Sequence, residues 1–492
     1  MKRHSTMLHA QQAEATKLDA TTRLSAEAPA KARRRVGMAG EWRDTTLGQV
    51  TDFLSGGTPS KEVAKYWSGL TPWVSAKDMK QFRLEDTEDH VTEDGLANGT
   101  KLVPAGTVLL LARGMTLLND LPICVVNRPM TFNQDVKALR PKPGVRNEFL
   151  PYLLLGNKDR LLNLVDLAGH GTGRLNSDEL KALDVVLPPE LEQRAIAHIL
   201  GTLDDKIELN GRMNETLEAM ARALFKSWFV DFLPVRANMK ARNRKARTQT
   251  GDPIRAKAKG CDPGLPKHIA DLFPDSFEDS EQGKIPKGWE ARSLYETAEF
   301  INGAAFKSKD FCDPSRGLPI VKIAELKNGI SAQTKFSERV LGPKQLIDKG
   351  ELLYSWSGSP DTSLDAFLWT KGRGLLNQHI FKVVTPSIAE KRFVYYLLKF
   401  LRPTLVEIAR NKQTTGLGHV TIADMKRLYV CSPPIKVLGA FDSQVAPLFD
   451  RAFKNTTQNQ IATALRDNLL PKLISGELRM KDGERVCERA GA

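Results

Sequence analysis

Two long stretches of the chain carry apolar residues at alternating intervals of three and four positions. The first seam consists of Ile196, Ile199, Leu203, Met213, Leu217, Met220 and Leu224. The second seam consists of Phe441, Leu448, Leu465 and Leu469. This spacing is typical of helices that bury one stripe against a partner helix, although both seams turn polar in the middle, at Asn210 and Asn455. We predict that the two helices pack as an antiparallel coiled coil; the alternative is that each packs on its own domain.

Short apolar runs between Gly, Pro and Asn residues predict strands in the rest of the chain. They lie at residues 107–111 and 123–126 in the first half, and at 352–356 and 380–384 in the second. Such runs, bounded by turn formers, are typical of strands. Helix-like runs at 149–164 and 393–409 complete the pattern. We therefore predict the α+β class, with two tandem mixed α/β domains, each followed by a long helix.

The two halves of the chain are copies of one pattern, displaced by about 245 positions. Asn133-Gln134 recurs as Asn377-Gln378, and Pro188-Pro189 recurs as Pro433-Pro434. Glycines, strand-like runs and helix-like runs recur in the same order between these markers, which chance does not explain. The recurrence of the Asn-Gln pair in both halves favours a shared structural task, such as bracing a loop.

The repeat divides the chain into segments. The predicted segments are a disordered basic arm (1–40), a first domain (41–188), a central helix (189–234), a linker (235–286), a second domain (287–434), a C-terminal helix (435–480) and a tail (481–492).

The net charge of +14 favours a polyanionic partner such as nucleic acid. Its distribution weakens that argument. Residues 1–40 carry 8 basic and 3 acidic side chains, and residues 235–268 carry 10 and 2. The first domain is slightly acidic, with 17 basic and 19 acidic side chains over 41–189, whereas 287–434 has 22 and 14. Most of the excess therefore lies outside the predicted domains.

Motifs of catalysis and metal binding are missing from the sequence. It has no phosphate-binding loop, no nucleophile elbow and no paired zinc ligands. The five cysteines are scattered, as is typical of reduced thiols in a cytoplasmic protein. The segments 169–174 and 414–419 are glycine-containing loops in both copies. Two interpretations stay open for them: a structural loop, or a loop that approaches a ligand closely.

Two similar domains on two similar helices form a pseudo-twofold object, which is suited to reading two different half-sites of duplex DNA. Base readout needs polar and basic side chains on groove-facing loops. The candidates in the first domain are Lys77, Arg113, His170, Thr172 and Arg174. The candidates in the second domain are Lys307, Lys322, Ser357, Gln413, Thr414, Thr415 and His419.

Four stretches resemble one known family. They are LPPELEQRAIA at 187–197, LFKSWFVDF at 224–232, IPKGW at 285–289 and LLPKLISGE at 469–477. Placed at the ends of two repeats, they are similar to the specificity (S) subunit of type I restriction–modification enzymes. The resemblance implies two target recognition domains that each read one half of a split, asymmetric DNA sequence. It also implies that the two helices set the gap between the halves and dock the methylating subunits.

The resemblance further implies a non-catalytic, cytoplasmic subunit that acts in phage defence on double-stranded DNA. Two methylation (M) subunits would bring S-adenosylmethionine and methylate adenine, and restriction (R) subunits would bring ATP-driven, Mg²⁺-dependent cleavage. Residues 433–437 lack the Glu-Gln of the first copy, so we expect the second helix to start differently. The alternatives are a self-sufficient DNA methyltransferase/endonuclease, whose Asn-Pro-Pro-aromatic motif is missing here, and a scaffold that binds protein.

Overall fold

The computed structural model describes residues 41–168, 171–249, 265–280, 283–413 and 416–480. The predicted arm (1–40) and tail (481–492) lie outside these residues. The chain divides into two compact units. Unit 1 is Met1–Thr202 with Arg466–Ala492, and unit 2 is Leu203–Leu465. Both long helices begin in one unit and end in the other.

Unit 1 is built mainly from short strands. Its strands are β1 (Arg43–Thr46), β2 (Thr51–Ser55), β3 (Thr71–Val74), β4 (Arg83–Leu84), β5 (Asp89–Val91), β6 (Leu102–Val103), β7 (Val108–Leu111), β8 (Arg113–Gly114), β9 (Ile123–Val126), β10 (Met130–Phe132), β11 (Val136–Pro141), β12 (Val165–Ala168), β13 (Thr172–Leu175) and β14 (Asp184–Leu187). Its helices are α1 (Leu47–Val50), α2 (Glu93–Ala97), α3 (Leu150–Gly156), α4 (Lys158–Leu162), α5 (Ser177–Ala182) and the first part of α6 (Glu190–Phe229).

Unit 2 repeats this arrangement with additional elements. Its strands are β15 (Phe277–Ser280), β16 (Gly283–Pro286), β17 (Glu290–Ser293), β18 (Glu299–Asn302), β19 (Leu318–Val321), β20 (Phe336–Ser337), β21 (Leu346–Ile347), β22 (Leu352–Ser355), β23 (Ser357–Gly358), β24 (Asp365–Leu368), β25 (Gly374–Leu376), β26 (Ile380–Val384), β27 (Gly418–His419) and β28 (Tyr429–Ser432). Its helices are α7 (Leu233–Gln249), α8 (Lys267–Ala270), α9 (Ile323–Asn328), α10 (Pro360–Ser363), α11 (Ile388–Arg410), α12 (Ile422–Arg427) and most of α13 (Ile435–Ser475).

The sheets confirm the mixed α/β prediction and the duplication. The order β2-β11-β7-β9 in unit 1 recurs as β18-β26-β22-β24 in unit 2. The parallel pair β3–β10 recurs as β19–β25. In both units the strand after a buried tryptophan pairs antiparallel with the strand before the long helix, as β1–β14 and β17–β28. One strand pairing scheme therefore serves both copies.

Each unit has its own apolar core, and both long helices contribute to both cores. In unit 1 the four residues of β7 are fully buried, as expected of a central strand covered on both faces. Ile196 from α6 and Leu473 from α13 join that core. In unit 2, Phe229 from α6 lies 4.9 Å, between ring centroids, from Phe441 of α13. Aromatic pairs of this kind add to the stabilisation from burial.

The helices α6 and α13 pack antiparallel, as predicted. In unit 2 the Asn210 Nδ2 donates to the Asn459 Oδ1 at 2.8 Å, and the Asn455 Nδ2 donates to the Asn214 Oδ1 at 3.0 Å. Residue numbers rise along one helix as they fall along the other, which fixes the antiparallel direction. The polar middle of the predicted seams is therefore a buried layer of paired asparagines.

At every second position of each predicted seam, the residue that is actually buried lies one position later in the chain. In α6, Met220 is exposed and Ala221 is fully buried; Leu200 is fully buried, in place of Ile199. In α13, Leu465 is exposed. The predicted seams advance by three and then four residues from Ile196 and from Phe441, whereas the observed buried faces advance by four and then three. Met213 lies beside the seam for the same reason, whereas Leu224 belongs to both patterns and packs against the core of unit 2.

The ends of the helices also differ from the predicted segments. α6 ends at Phe229 and α13 at Ser475, rather than at 234 and 480. A left-handed backbone conformation follows each end, at Phe232 (φ 49°) and at Gly476 (φ 76°), and such residues commonly terminate helices. The described part of the predicted linker contains most of the helix α7, the short helix α8 and the hairpin β15–β16.

The asparagine layer predicts a non-additive response to substitution. Replacing Asn459 alone by leucine should destabilise unit 2 by about 1–3 kcal/mol, because the buried Asn210 amide loses its shorter hydrogen bond and keeps only the 3.4 Å one to the Gln458 Oε1. Replacing Asn210 and Asn459 together by leucine should cost less than the sum of the single changes. Urea unfolding of the two single variants and the double variant measures this coupling. Additive costs would contradict the pairing.

No helix in the described part of the chain is long and apolar enough to cross a membrane.

Candidate nucleic-acid interface

Two of the predicted DNA-binding arginines face each other across two strands of unit 1. β8 and β13 pair antiparallel, with Arg113 opposite Arg174 and Gly114 opposite Gly173. We call β8 and β13 the unit 1 ribbon. Side chains that lie directly opposite in an antiparallel pair share one face of the sheet. The two guanidinium groups are therefore exposed side by side, and Thr172 lies on the same strand as Arg174.

The surroundings of the unit 1 ribbon are positively charged. Burial lowers the pKa of Lys137 on β11, and the positive charges of Lys181 and Arg174 lower it further. Asp166 is opposite Arg174 on β12, but within the described residues no carboxylate forms an ion pair with Arg113 or Arg174. Like charges placed opposite one another destabilise a sheet. This cluster is therefore suited to an anionic or acceptor-rich ligand.

The equivalent strands of unit 2 carry a serine and a histidine, with an aromatic pair beside them. β23 and β27 pair antiparallel, with Ser357 opposite His419 and Gly358 opposite Gly418. We call β23 and β27 the unit 2 ribbon. Trp356, next to Ser357, stacks on Phe381 with 5.5 Å between ring centroids. The two ribbons thus share their antiparallel register and their glycines but have different side chains, and in unit 1 the strand β12 pairs with β13 as well.

Glycines make this geometry possible in both units. A Cβ on Gly173 would lie 2.8 Å from the Leu117 Cβ, and one on Gly418 would lie 2.4 Å from the Ala409 carbonyl oxygen. Both distances are too short for any side chain, so glycine is required at Gly173, next to Arg174, and at Gly418, next to His419. The glycine-containing loops are therefore partly strands, whereas His170, Thr414 and Thr415 lie outside the described residues.

The recurring Asn-Gln pairs brace turns, which confirms their predicted structural task. The Asn133 Oδ1 accepts a hydrogen bond from the Asp135 backbone N–H at 3.1 Å. The Asn377 Oδ1 accepts one from the His379 N–H at 3.4 Å. A glycine packs against each turn, because a Cβ on Gly56 or Gly303 would clash with the backbone there.

The other described candidates are not part of either ribbon. Lys77 forms ion pairs with Glu88 at 2.9 Å and Asp89 at 3.1 Å, and the hydrogen bond to Glu88 is the main cause of its raised pKa. The Lys322 ammonium lies 5.5 Å from the centre of the Phe311 ring. Lys307 and Gln413 are exposed. Their role in binding DNA stays a prediction.

Sequence reasoning missed several residues beside the ribbons, namely Lys137, Lys181, Trp356 and Phe381. Lys137 sits four positions after Asn133, on the strand that follows the recurring turn. The predicted strand 352–356 includes Trp356, whereas the observed strand β22 ends at Ser355. Aligning the two copies could have identified Lys137 and Trp356, because Lys137 follows the recurring Asn-Gln pair and Trp356 precedes the recurring Gly358.

A buried carboxylate anchors the start of α6 in unit 1. The Glu192 side chain accepts hydrogen bonds from the Trp42 Nε1 at 2.6 Å, the Arg479 Nε at 3.1 Å and the Met480 backbone N–H at 2.8 Å. Burial raises the pKa of Glu192, but these hydrogen bonds outweigh it and the pKa is lowered. The next residue, Gln193, is fully buried and donates to the Gly144 and Pro188 carbonyl oxygens.

Unit 2 lacks this anchor, as expected from the missing Glu-Gln. Val437 and Leu438 occupy the corresponding positions at the start of α13 and are buried in the core of unit 2. The Trp289 Nε1, which corresponds to the Trp42 donor, is buried without a hydrogen-bond partner in the described residues. The second helix therefore starts on apolar contacts instead of a polar network.

Comparison with protein families agrees with this duplicated architecture. The type I restriction modification DNA specificity domain matches twice, at residues 39–219 and 286–466. The chain belongs to this family. Two copies of a specificity domain fit recognition of a bipartite DNA target, and each copy contains one of the two ribbons.

Relatives across the specificity-domain family match most of the chain. The type I restriction enzyme MjaIX specificity subunit of Methanocaldococcus jannaschii is 27% identical over 456 residues, covering 90% of this chain and 94% of the relative. The HindI specificity subunit of Haemophilus influenzae is 26% identical over 475 residues, which cover 89% of this chain and 100% of the relative. The crystal structure of the S subunit from M. genitalium has the same fold, with a TM-score of 0.53 at 14% identity, over 89% of this chain and 98% of that one.

Proposed function

We propose that this chain is the DNA-specificity subunit of a type I restriction–modification complex, and that each unit reads one half of a bipartite, asymmetric target. The observation that carries the proposal is the pair of ribbons. They share strand pairing and glycines, but present Arg113 and Arg174 in unit 1 and Ser357 and His419 in unit 2. Equal geometry with unequal side chains suits two half-sites of different sequence.

The catalytic steps belong to partner subunits in this proposal. Methylation subunits would bind S-adenosylmethionine and methylate adenine, and restriction subunits would use ATP and Mg²⁺ to translocate and cleave double-stranded DNA. Support comes from the relatives, which are named as specificity subunits of restriction enzymes. The alternative, a self-sufficient methyltransferase/endonuclease, requires the chain alone to transfer methyl groups.

The outer faces of α6 and α13 are suited to docking the methylation subunits. Met220 and Leu465 are 53% and 47% exposed. They stand at corresponding positions of the two copies, 245 residues apart. Single exposed apolar residues are common on protein surfaces, so the support comes from the equivalence of the two positions rather than from their exposure. Two equivalent apolar positions fit two copies of the same partner.

Co-purification tests this proposal. The full chain is co-expressed with a methylation subunit from the same host, and the complex is isolated through a tag on that subunit. We expect a stable complex with two methylation subunits, which binds DNA sequence-specifically while the isolated chain binds weakly. Absence of a complex, or methyl transfer by the isolated chain, would contradict the proposal.

The helix pair should set the gap between the half-sites. Seven residues inserted between 203 and 210 of α6, with seven inserted between 459 and 466 of α13, would preserve the pairing seen at the asparagine layer. Each insertion adds about 10 Å of helix, which corresponds to about three base pairs.

We expect the methylated motif of this variant to keep both half-sites and to gain about three base pairs between them. Sequencing that detects methylated adenine in the DNA of the host measures the gap. The control places the same seven residues in the linker after Gln249. An unchanged gap in the helix variant would contradict the role of the helices.

A further inference from the structure

We propose that the cross-strand pair on each ribbon determines the base preference of its half-site, with Arg113 and Arg174 of unit 1 reading guanine. The inference rests on the proposed function and deepens it. It assigns specificity to one pair of facing residues in each unit: Arg113 and Arg174 in unit 1, and Ser357 and His419 in unit 2.

The unit 1 ribbon has the shape and exposure that a groove reader needs. The major groove of DNA admits a two-stranded β-ribbon. Arg113 and Arg174 are both exposed and lie opposite each other on one face of β8 and β13, which form the edge pair of the three-stranded sheet β12-β13-β8. Within the described residues no ion pair occupies either guanidinium group, so their donors are available to a ligand. Exposed, closely spaced cations without a carboxylate partner are stabilised when an acceptor-rich ligand binds.

The comparison of the two units favours base edges over phosphates as the ligand. The backbone beside the pair is the same in both copies, with Gly114 opposite Gly173 and Gly358 opposite Gly418. A phosphate contact carries no sequence information, so it gives no reason for the facing residues to differ between the copies. A base contact must differ when the half-sites differ. The residues that differ between the two copies therefore stand on backbone segments of the same register, as reading two different half-sites requires.

The chemistry of each pair indicates what it reads. Arginine donates two parallel hydrogen bonds to the O6 and N7 of guanine, and this is the commonest specific contact in the major groove. Ser357 and His419 are shorter than arginine and lack its paired donors, and the apolar ring of Trp356 lies beside them. Unit 2 should therefore read its half-site through single hydrogen bonds and apolar contact rather than through paired guanidinium groups.

Exchanging the pairs tests this inference in the intact complex with the methylation subunit. The first variant, R113S with R174H, places the unit 2 side chains on the unit 1 ribbon. The second variant, R113K with R174K, keeps the charge and removes the bidentate donors. Arg140→Lys is the matched control, because Arg140 is exposed on β11 outside the ribbon. The readouts are the genome-wide methylated motif and the binding of matched and mismatched oligonucleotides at two salt concentrations.

The serine/histidine variant should lose discrimination at guanine positions of one half-site, by roughly 5- to 150-fold for each lost contact, and the lysine variant should lose part of it. The other half-site and the gap should stay as in the wild type. An unchanged motif, with binding weakened uniformly over all sequences in the serine/histidine variant and preserved in the lysine variant, would show that the arginines contact phosphates and would overturn the inference. If the wild-type complex itself yields no bipartite motif, the proposed function fails as well.

Discussion

Replacing Glu192 by alanine should lower the free energy of unfolding of unit 1 by about 3–5 kcal/mol, which is the usual cost of breaking a buried, hydrogen-bonded ion pair. The carboxylate is 7% exposed and accepts hydrogen bonds from Trp42, Arg479 and Met480. Its removal leaves the Trp42 Nε1 buried without a partner and releases the residues that follow α13. Few other side chains in the described part of unit 1 tie together such distant segments.

Urea unfolding measures this cost, and hydrogen exchange assigns it to unit 1. The control is Glu190→Ala, two residues earlier on the same helix. The Glu190 side chain is 65% exposed and lies 3.9 Å from Arg146, so its removal should cost no more than about 1 kcal/mol. Equal costs for the two variants would contradict the anchoring role of Glu192.

The anchor should also depend on pH. Because the pKa of Glu192 is lowered in the folded state from its ordinary value of 4.5, its ionised form stabilises unit 1 above that value. This contribution is lost as the pH falls through the folded-state pKa. The difference in stability between wild type and Glu192→Gln should therefore be largest near neutral pH and should shrink below pH 4.5. A difference that is constant with pH would exclude the charge as its source.

Replacing Arg392 by alanine should destabilise unit 2 by about 3–5 kcal/mol. Arg392 lies on α11, and its side chain is 7% exposed. It donates to the Asp442 Oδ1 at 2.8 Å and the Asp450 Oδ1 at 2.7 Å, and thereby joins α11 to two successive stretches of α13. Its guanidinium carbon also lies 5.2 Å from the centre of the Phe449 ring. Without it, Asp442, whose side chain is 20% exposed, keeps a charge that water solvates poorly.

Thermal or urea unfolding of the full chain measures the effect of this substitution. The control is Arg373→Ala, because the Arg373–Asp348 pair is exposed at 59% and 52%. Exposed pairs contribute about 0–1 kcal/mol. If Arg392→Ala costs no more than this control, then the contact between α11 and α13 does not depend on the ion pairs. A variant that carries Asp442→Asn as well should recover part of the loss, since it removes the uncompensated charge.

The duplicated arrangement of strands and helices could be predicted from the sequence, because the patterns that indicate each element are local. Apolar runs predicted β9 and β26 with their observed bounds, Ile123–Val126 and Ile380–Val384. The helix run at 149–164 is divided in the structure into α3 and α4, at Asn157, and the run at 393–409 is the single helix α11. The periods that indicate a strand or a helix span only a few residues, so the errors in the predicted bounds are small.

The phase of the helix seam and the contacts of the site were harder to predict, because they depend on distant residues. Leu200 and Leu203 fit a seam as well as Ile199 and Leu203 do; only the partner helix and the domain core decide between them. The Glu192 anchor joins residues 150 and 288 positions apart. The pairing of Arg113 with Arg174 requires β8 and β13 to meet, and no short-range pattern encodes that meeting.

The central claim is that this chain gives a two-part DNA specificity to a methylating partner. The most direct test maps methylated adenines across the genome of a host that expresses this chain and its methylation subunit, with and without the gene for this chain. We predict one bipartite, asymmetric motif that disappears when the gene is deleted. Methylation that persists at the same motif without the chain, or a motif with one continuous half-site only, would contradict the account.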